Sequence, residues 1–375
     1  MKVFKGELKN IDKNIIAEVT YNKTVFNRRG KAYVGSGISS SPFGYSVLIT
    51  DNKHVSDKAK SVFIIENKDL ADLNEGDIIH IGNNGLLTTV WDTKSDSNTI
   101  FPTASCDCRC LMCPQPPQKH DDELYYIAME LLDRLEPSKI SKICISGGEP
   151  TLLGEKFLNI LKKIKERFDH ALVMLLTNGR SFSDFNFAKE FSSVNLSNCL
   201  ICISLHSDIE ELNDEISGSK SSFQKTIQGL YNLAKFRQKV EIRHVINKLN
   251  YGRLEEFAYF LYRNFPFVYH VAFMGMEITG YARSNYDKVW IDPAEYKKQL
   301  ENASKILHRA FLNTSIYNIP YCLLTPASWL FARKSISDWK NDYLPACDGC
   351  IKISECCGFF STSGKFVSPT VSKII

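Results

Sequence analysis

At 375 residues, with 44 % hydrophobic and 23 % charged residues, the chain is long enough for a barrel-sized domain plus one or two smaller ones. A net charge of +4 and a pI near 8.3 fall far short of the basic footprint that would by itself argue for nucleic acid. No apolar run reaches the roughly 18 residues of a membrane span, and Met1-Lys2-Val3-Phe4-Lys5-Gly6-Glu7 lacks the apolar core of a signal peptide. The expected location is therefore the cytoplasm. There, twelve cysteines signal metal or redox chemistry rather than a disulfide framework. They include four between 106 and 113 and five between 322 and 357.

Residues 1–95 read as a small β-rich domain. Ile15-Ile16-Ala17-Glu18-Val19, Tyr45 to Ile49, Ser61 to Ile65 and Asp77 to Ile81 are rich in β-branched residues, and glycine-, asparagine- and serine-rich turns separate them. No aromatic or charged constellation stands out in this region, so packing is a simpler role for it than peptide recognition.

The next stretch is Cys106-Asp107-Cys108-Arg109-Cys110-Leu111-Met112-Cys113, followed by Pro114-Gln115-Pro116-Pro117. Cys106, Cys110 and Cys113 make CxxxCxxC, a spacing that wraps three thiolates around an iron–sulfur cube. Such a cluster normally takes four cysteines, so three leave one iron open to an exchangeable ligand. A structural zinc site is the competing reading, but it wants four ligands, and His120 is the one histidine close by. Cys108 is assigned as a non-ligand, because one residue between it and Cys110 is too tight a gap for two irons.

From about 96 to 312 the pattern alternates strands with amphipathic helices. Ile143-Cys144-Ile145, Leu172 to Leu176, Leu200 to Ile203, Glu241 to Val245 and Val271 to Phe273 recur roughly every 30 to 40 residues, the length of a βα unit. Phe157, Ile160, Leu161, Ile164 and Phe168 fall at helical spacing, as do Phe223, Ile227, Leu230 and Ala234. Apolar strands covered by one-sided helices imply a parallel sheet buried on both faces, here an incomplete (β/α)6 TIM-like barrel. Cys144, Cys199 and Cys202 lie inside these strands and read as small buried hydrophobes.

Chemistry should then gather at the carboxyl ends of the strands. Ser146-Gly147-Gly148-Glu149-Pro150, Thr177-Asn178-Gly179, Ser204-Leu205-His206-Ser207 and Arg243 with Asn247 stand there. Gly147 and Gly148 would allow a backbone to approach a ligand closely. Each motif alone is ordinary loop material, and Gly-Gly-Glu-Pro alone suits a turn in which proline opens a helix.

Taken in order behind CxxxCxxC, these motifs resemble the radical S-adenosylmethionine (SAM) enzymes over most of residues 100–280. The resemblance implies a 4Fe-4S cluster on Cys106, Cys110 and Cys113, with SAM on its open iron. Reductive cleavage of SAM there would give methionine and a 5′-deoxyadenosyl radical that takes hydrogen from a substrate. It further implies that Gly147, Gly148 and Glu149, with Pro150 closing the motif, hold the methionine amino group. Ser204 and Asn178 would reach ribose or carboxylate, Arg243 would pair with the carboxylate, and Met112 would lie near adenine. The region Gly275 to Ala282 would supply backbone contacts to adenine.

Residues 313–375 carry Cys322 and then Cys347, Cys350 and Cys356 as Cx2Cx5C, with Cys357 adjacent. This resembles the auxiliary-cluster extension of peptide-modifying radical SAM enzymes and implies one further 4Fe-4S cluster on Cys322, Cys347, Cys350 and Cys356. Structural zinc is the alternative. Cys-Leu-Met-Cys-Pro-Gln-Pro-Pro, Ser97-Asn98-Thr99-Ile100 with Thr103, and Cys-Asp-Gly-Cys followed by Cys-Gly-Phe-Phe resemble the HxsC-type maturases of His-Xaa-Ser peptide systems. That resemblance implies a ribosomally made peptide substrate with His-Xaa-Ser repeats, a second radical SAM maturase as partner, and an electron donor. Modification of RNA or a small metabolite, and a zinc-stabilised binding protein without catalysis, are the alternatives.

Overall fold

The computed structural model describes residues 2–40, 42–56, 59–119, 122–335, 340–364 and 366–375. His120 lies outside the described residues. The chain divides into two compact units, residues 1–102 with 122–140, and residues 103–121 with 141–375. No helix among the described residues is long and apolar enough to cross a membrane.

The first unit is built on one sheet of eight strands: β1 (Val3–Lys5), β2 (Glu7–Lys9), β3 (Ile15–Thr20), β4 (Lys31–Val34), β5 (Val47–Thr50), β6 (Val62–Ile64), β7 (Ile78–Ile81) and β8 (Leu86–Trp91). Their order is β1-β8-β7-β3-β4-β5-β6-β2. The two outermost strands are successive in sequence and separated only by Gly6, so the chain closes the sheet upon itself at that residue. Gly6 is required there, because a Cβ would lie 2.5 Å from the Ile64 carbonyl oxygen. Val19, Ala32, Val47, Ile49, Phe63, Ile79 and Leu87 fill the interior. A single turn, α1 (Asn67–Leu70), a short strand, β9 (Thr99–Ile100), and a helix, α2 (Glu123–Arg134), complete the unit. The helix buries Tyr125, Ala128, Leu131 and Leu132.

The second unit is a partial (β/α) barrel. Its strands are β10 (Lys142–Ile145), β11 (Leu172–Thr177), β12 (Cys199–Ser204), β13 (Val240–Val245), β14 (His270–Met274), β15 (Thr314–Tyr317) and β16 (Ala332–Arg333). They run side by side in that order, every neighbouring pair parallel. The five predicted strands all form. β15 and β16 extend the sheet past residue 312, into the stretch read from sequence as the cysteine-rich extension. Threonine, serine and arginine interrupt their apolar run, which masks them as strands.

Crossover helices α3 (Glu155–Phe168), α4 (Phe185–Ser193), α5 (Glu210–Ser217), α6 (Ser222–Lys235) and α7 (Leu254–Asn264) link β10 to β14. The turns α8 (Gly280–Ser284) and α9 (Tyr286–Val289) and the long α10 (Pro293–Arg309) lead to β15. On α3 the predicted stripe Phe157, Ile160, Leu161, Ile164 and Phe168 is buried throughout. On α6 the buried face is rotated to Thr226, Gly229, Leu230 and Leu233, leaving Phe223, Ile227 and Ala234 half-buried. Gly229 explains the rotation: a Cβ there would lie 2.4 Å from the Gly179 carbonyl oxygen, so the bare backbone is what faces the neighbouring loop.

Truncating Phe157, which has no exposed surface and stacks on Phe191, should destabilise the protein. Phe157→Ala is expected to cost about 3–5 kcal/mol in chemical denaturation. A cost below about 1 kcal/mol would mean that α3 does not pack as described.

Candidate functional site

The cysteine loop is held by backbone from three other segments. Gly148 N donates to Thr103 O (2.8 Å) and Glu149 N to Ser105 O (2.7 Å). At the end of α5, the Ser217 and Ile216 carbonyls accept from Arg109 N and Leu111 N, both at 2.9 Å, which satisfies C-terminal carbonyls that the helix itself leaves free. At α8, Tyr281 N donates to Cys113 O (2.8 Å), and Asn285 Nδ2 donates to Leu111 O (2.9 Å).

Glycine makes each approach possible. A Cβ on Gly148 would lie 2.1 Å from Ser105 O, on Gly147 2.4 Å from Thr103 O, and on Gly218 2.4 Å from Arg109 O. On Gly280 it would lie 2.5 Å from Pro114 O. Gly147 and Gly148 thus press against the cysteine loop itself, a tighter contact than the ligand approach expected from sequence.

Within the loop, Cys106, Cys110 and Cys113 are half-buried, whereas Cys108 is 2 % exposed. The Cys108 sulfur accepts from Arg180 Nη1 (3.4 Å) and Asn178 Nδ2 (3.5 Å). Hydrogen bonds from the Cys106 and Cys110 thiols, helped by the Arg180 charge, hold the Cys108 thiol far below its ordinary range. The same bonds, with burial, push Cys106 and Cys110 up, and burial raises Cys113. Arg180 also binds the Asp107 carboxylate at 2.7 Å and the Asp107 carbonyl at 2.9 Å. Sequence reasoning stopped at Thr-Asn-Gly and missed it, although Arg180 directly follows that motif. Among the described residues, no three His, Cys, Asp or Glu side chains converge tightly enough for a single metal ion.

Glu149 caps the 3-10 turn Pro150–Leu153, with Pro150 at its first position. Its buried carboxylate accepts from Thr151 N (3.1 Å), Thr151 Oγ1 (2.6 Å), Thr177 Oγ1 (2.7 Å) and Asn178 N (2.6 Å). These bonds tie the ends of β10 and β11 together. Burial outweighs them and pushes the carboxyl up to about 7. The Asn178 side chain is directed to the cysteine loop, donating to Asp107 Oδ1 at 2.8 Å.

Met112 is 5 % exposed and packs against Ile216 and Ala282, with Val245, Leu249 and Met276 at the edge of the cluster. Ser204, the last residue of β12, stands in register with Arg243 on β13. Arg243 Nε donates to Glu241 Oε1 at 2.6 Å. Burial raises the thiols of Cys199, to about 12, and of Cys202.

In the C-terminal segment, Cys322, Cys347, Cys350 and Cys356 all line one small cavity with Tyr321, Tyr343, Ile353, Phe359 and Ile374. Backbone N–H groups point at two of the sulfurs: Gly358 N to Cys356 and Ile374 N to Cys350, both at 3.4 Å. A hydrogen bond from Cys357 lowers the Cys356 thiol to about 6. Cys357 is 3 % exposed and is absent from the cavity wall.

Both cysteine groups fit an iron–sulfur centre on their own chemistry. The loop offers three half-buried cysteines on clamped backbone, and the C-terminal cavity offers four, two of them facing N–H donors of the kind that tune cluster sulfurs.

Gly148→Ala should displace the loop. The expected result is loss of most of the iron bound after anaerobic reconstitution, with the far-ultraviolet circular dichroism unchanged; full iron loading would contradict the clamp. Glu149 makes a pH prediction. Its folded-state value lies above the ordinary 4.5, so the fold binds the proton more tightly than the unfolded chain. Stability therefore falls as pH rises from about 4.5 to about 7 and levels beyond, by at most about 3 kcal/mol. Glu149→Gln should flatten that slope in denaturation curves measured at several pH values, and an unaltered slope would refute the assignment.

Residues 100–261 match the family model for the Radical SAM superfamily. A curated relative, the Fe-coproporphyrin III synthase of Methanosarcina barkeri (strain Fusaro / DSM 804), is 30 % identical over 151 residues, 40 % of this chain and 36 % of the relative. Among solved structures, Streptococcus suis SuiB bound to S-adenosylmethionine is similar at 20 % identity and a TM-score of 0.46, covering 58 % of this chain and 49 % of SuiB. A radical SAM methyltransferase from Sphaerobacter thermophilus is similar at 11 % identity and a TM-score of 0.44, covering 68 % of this chain and 82 % of that one. The chain thus spans about a third of the curated relative and about half of SuiB. The match to the Radical SAM superfamily model thus takes in the cysteine loop and runs into α7.

Proposed function

We propose that this protein is a radical SAM peptide maturase of the His-Xaa-Ser type. The observation that carries the radical SAM part is the loop: three half-buried cysteines, Cys106, Cys110 and Cys113, on backbone clamped from three segments, with Cys108 buried beside them and its sulfur bonded also to Arg180 and Asn178. These three would hold a 4Fe-4S cluster with SAM on its open iron. When bound, the pair supplies reductive cleavage of SAM to methionine and a 5′-deoxyadenosyl radical that takes hydrogen from the substrate.

The chain's own part is placement and exclusion of water. Gly147, Gly148 and Glu149, with Pro150 closing the motif, hold the methionine amino group, and the same turn fixes the loop while Glu149 braces the strand ends. Ser204 and Arg243, level with one another on adjacent strands, face SAM polar groups, Asn178 bridges the loop to β11, and Met112 provides an apolar floor. Cys322, Cys347, Cys350 and Cys356 hold an auxiliary cluster, for which their shared cavity is the support. The peptide reading rests on the likeness of Cys-Leu-Met-Cys-Pro-Gln-Pro-Pro and Cys-Asp-Gly-Cys with Cys-Gly-Phe-Phe to the HxsC-type maturases. With it come a second radical SAM maturase and an electron donor as partners, and a cytoplasmic setting.

Anaerobic reconstitution with SAM and a reductant tests this reading, with and without peptides carrying histidine–serine repeats. 5′-Deoxyadenosine should form, faster with the peptide. Cys110→Ala should abolish it, whereas Cys108→Ala should retain most of it. Cys356→Ala should lose auxiliary iron that Cys357→Ala keeps. Zinc without colour would favour a binding protein, and formation of Fe-coproporphyrin III or modification of RNA without any peptide effect would overturn the peptide assignment.

A further inference from the structure

Side chains alternate along β13. His244 packs 4.2 Å from Phe257 of α7, so Ile242 and His244 face the helices while Glu241 and Arg243 face the barrel interior. There a hydrogen-bonded chain crosses three consecutive strands. Ser315 Oγ on β15 lies 2.9 Å from His270 Nε2 on β14, His270 Nδ1 lies 2.6 Å from Glu241 Oε2, and Arg243 Nε donates to Glu241 Oε1 at 2.6 Å. Ser315 and Glu241 are buried.

An Arg–Glu pair alone would satisfy both charges, yet here each Glu241 oxygen is used separately. One takes the Nε edge of Arg243, and the other is held by an imidazole that is itself held by a hydroxyl. The carboxylate is thereby held at both oxygens, and the guanidinium is anchored at its Nε edge. Among the described residues Glu241 is the sole hydrogen-bond acceptor of Arg243, which leaves the Nη1/Nη2 edge for a ligand. That edge is a planar fork suited to a carboxylate, and the Ser204 hydroxyl belongs to the residue in register beside it.

We infer that Glu241, His270 and Ser315 are positioning residues that fix the Arg243 guanidinium as a receptor for the methionine carboxylate of SAM. This rests on the proposed radical SAM reading. The chain does not touch the ligand; it sets the angle of the arginine that does, and so acts on affinity for the carboxylate alone.

Equilibrium dialysis on the anaerobically reconstituted full chain tests this, comparing SAM with its decarboxylated analogue. Arg243→Met should weaken SAM about 10- to 100-fold, the range of a charge-assisted hydrogen-bonded pair, and leave the analogue unchanged. His270→Phe should weaken SAM alone by a smaller factor, about fivefold, and His270→Asn, which keeps a donor toward Glu241, should restore it to within about twofold. Ser315→Ala provides a milder variant should His270→Phe fail to fold. Equal losses for both ligands would reduce the chain to a structural brace and overturn the inference, as would unchanged SAM binding in Arg243→Met with full iron content. Wild-type protein that binds iron but neither ligand would instead overturn the radical SAM reading on which the inference depends.

Discussion

Backbone-to-backbone contact between the cysteine loop and its neighbours is the constraint on which the rest of the site depends. A loop bearing three sulfurs at CxxxCxxC spacing is useful only if those sulfurs stay where the cluster needs them, and a free loop of that length would lose considerable conformational entropy on binding. Here the ordering is done during folding. Amide donors and carbonyl acceptors from the end of β10, the end of α5 and the start of α8 close onto residues 103–113, and four glycines remove the side chains that would hold them apart.

That arrangement gives the neighbouring motifs a double role. Glu149 is a knot rather than a free carboxylate: it caps its own turn and receives hydrogen bonds from Thr177 and Asn178 across the adjacent strand end. Asn178 and Arg180, from the next loop, reach back to Asp107 and Cys108. Cys108 is thereby buried where the loop meets the turn that follows β11. Deeper in the barrel the same principle recurs, with Glu241, His270 and Ser315 fixing Arg243 through side chains instead of backbone.

The fold was readable because β-branched runs and one-sided helices are local signals. β10 to β14 and α3 appear where periodicity placed them, and the chain of motifs at strand ends follows from barrel geometry. What escaped was long-range. Gly218 and Gly280 look like ordinary turn residues until their partners, more than a hundred residues earlier, are in place. Arg180 carries no spacing that announces Asp107. The buried face of α6 turned on one glycine–carbonyl contact that no periodicity contains. Cys322 was within reach of sequence reasoning only because a CxxC downstream demanded a fourth ligand, and the cavity wall now holds all four.

The central claim is that the loop supplies three sulfurs and leaves one iron open to SAM. Mössbauer spectroscopy of protein reconstituted with iron-57 and carrying Cys347→Ala, Cys350→Ala and Cys356→Ala together, which leaves the C-terminal site Cys322 alone, measures this directly. The account predicts that adding SAM shifts the signal of one iron in four, as that iron gains nitrogen and oxygen ligands. Spectra in which all four irons remain equivalent after SAM is added would contradict it.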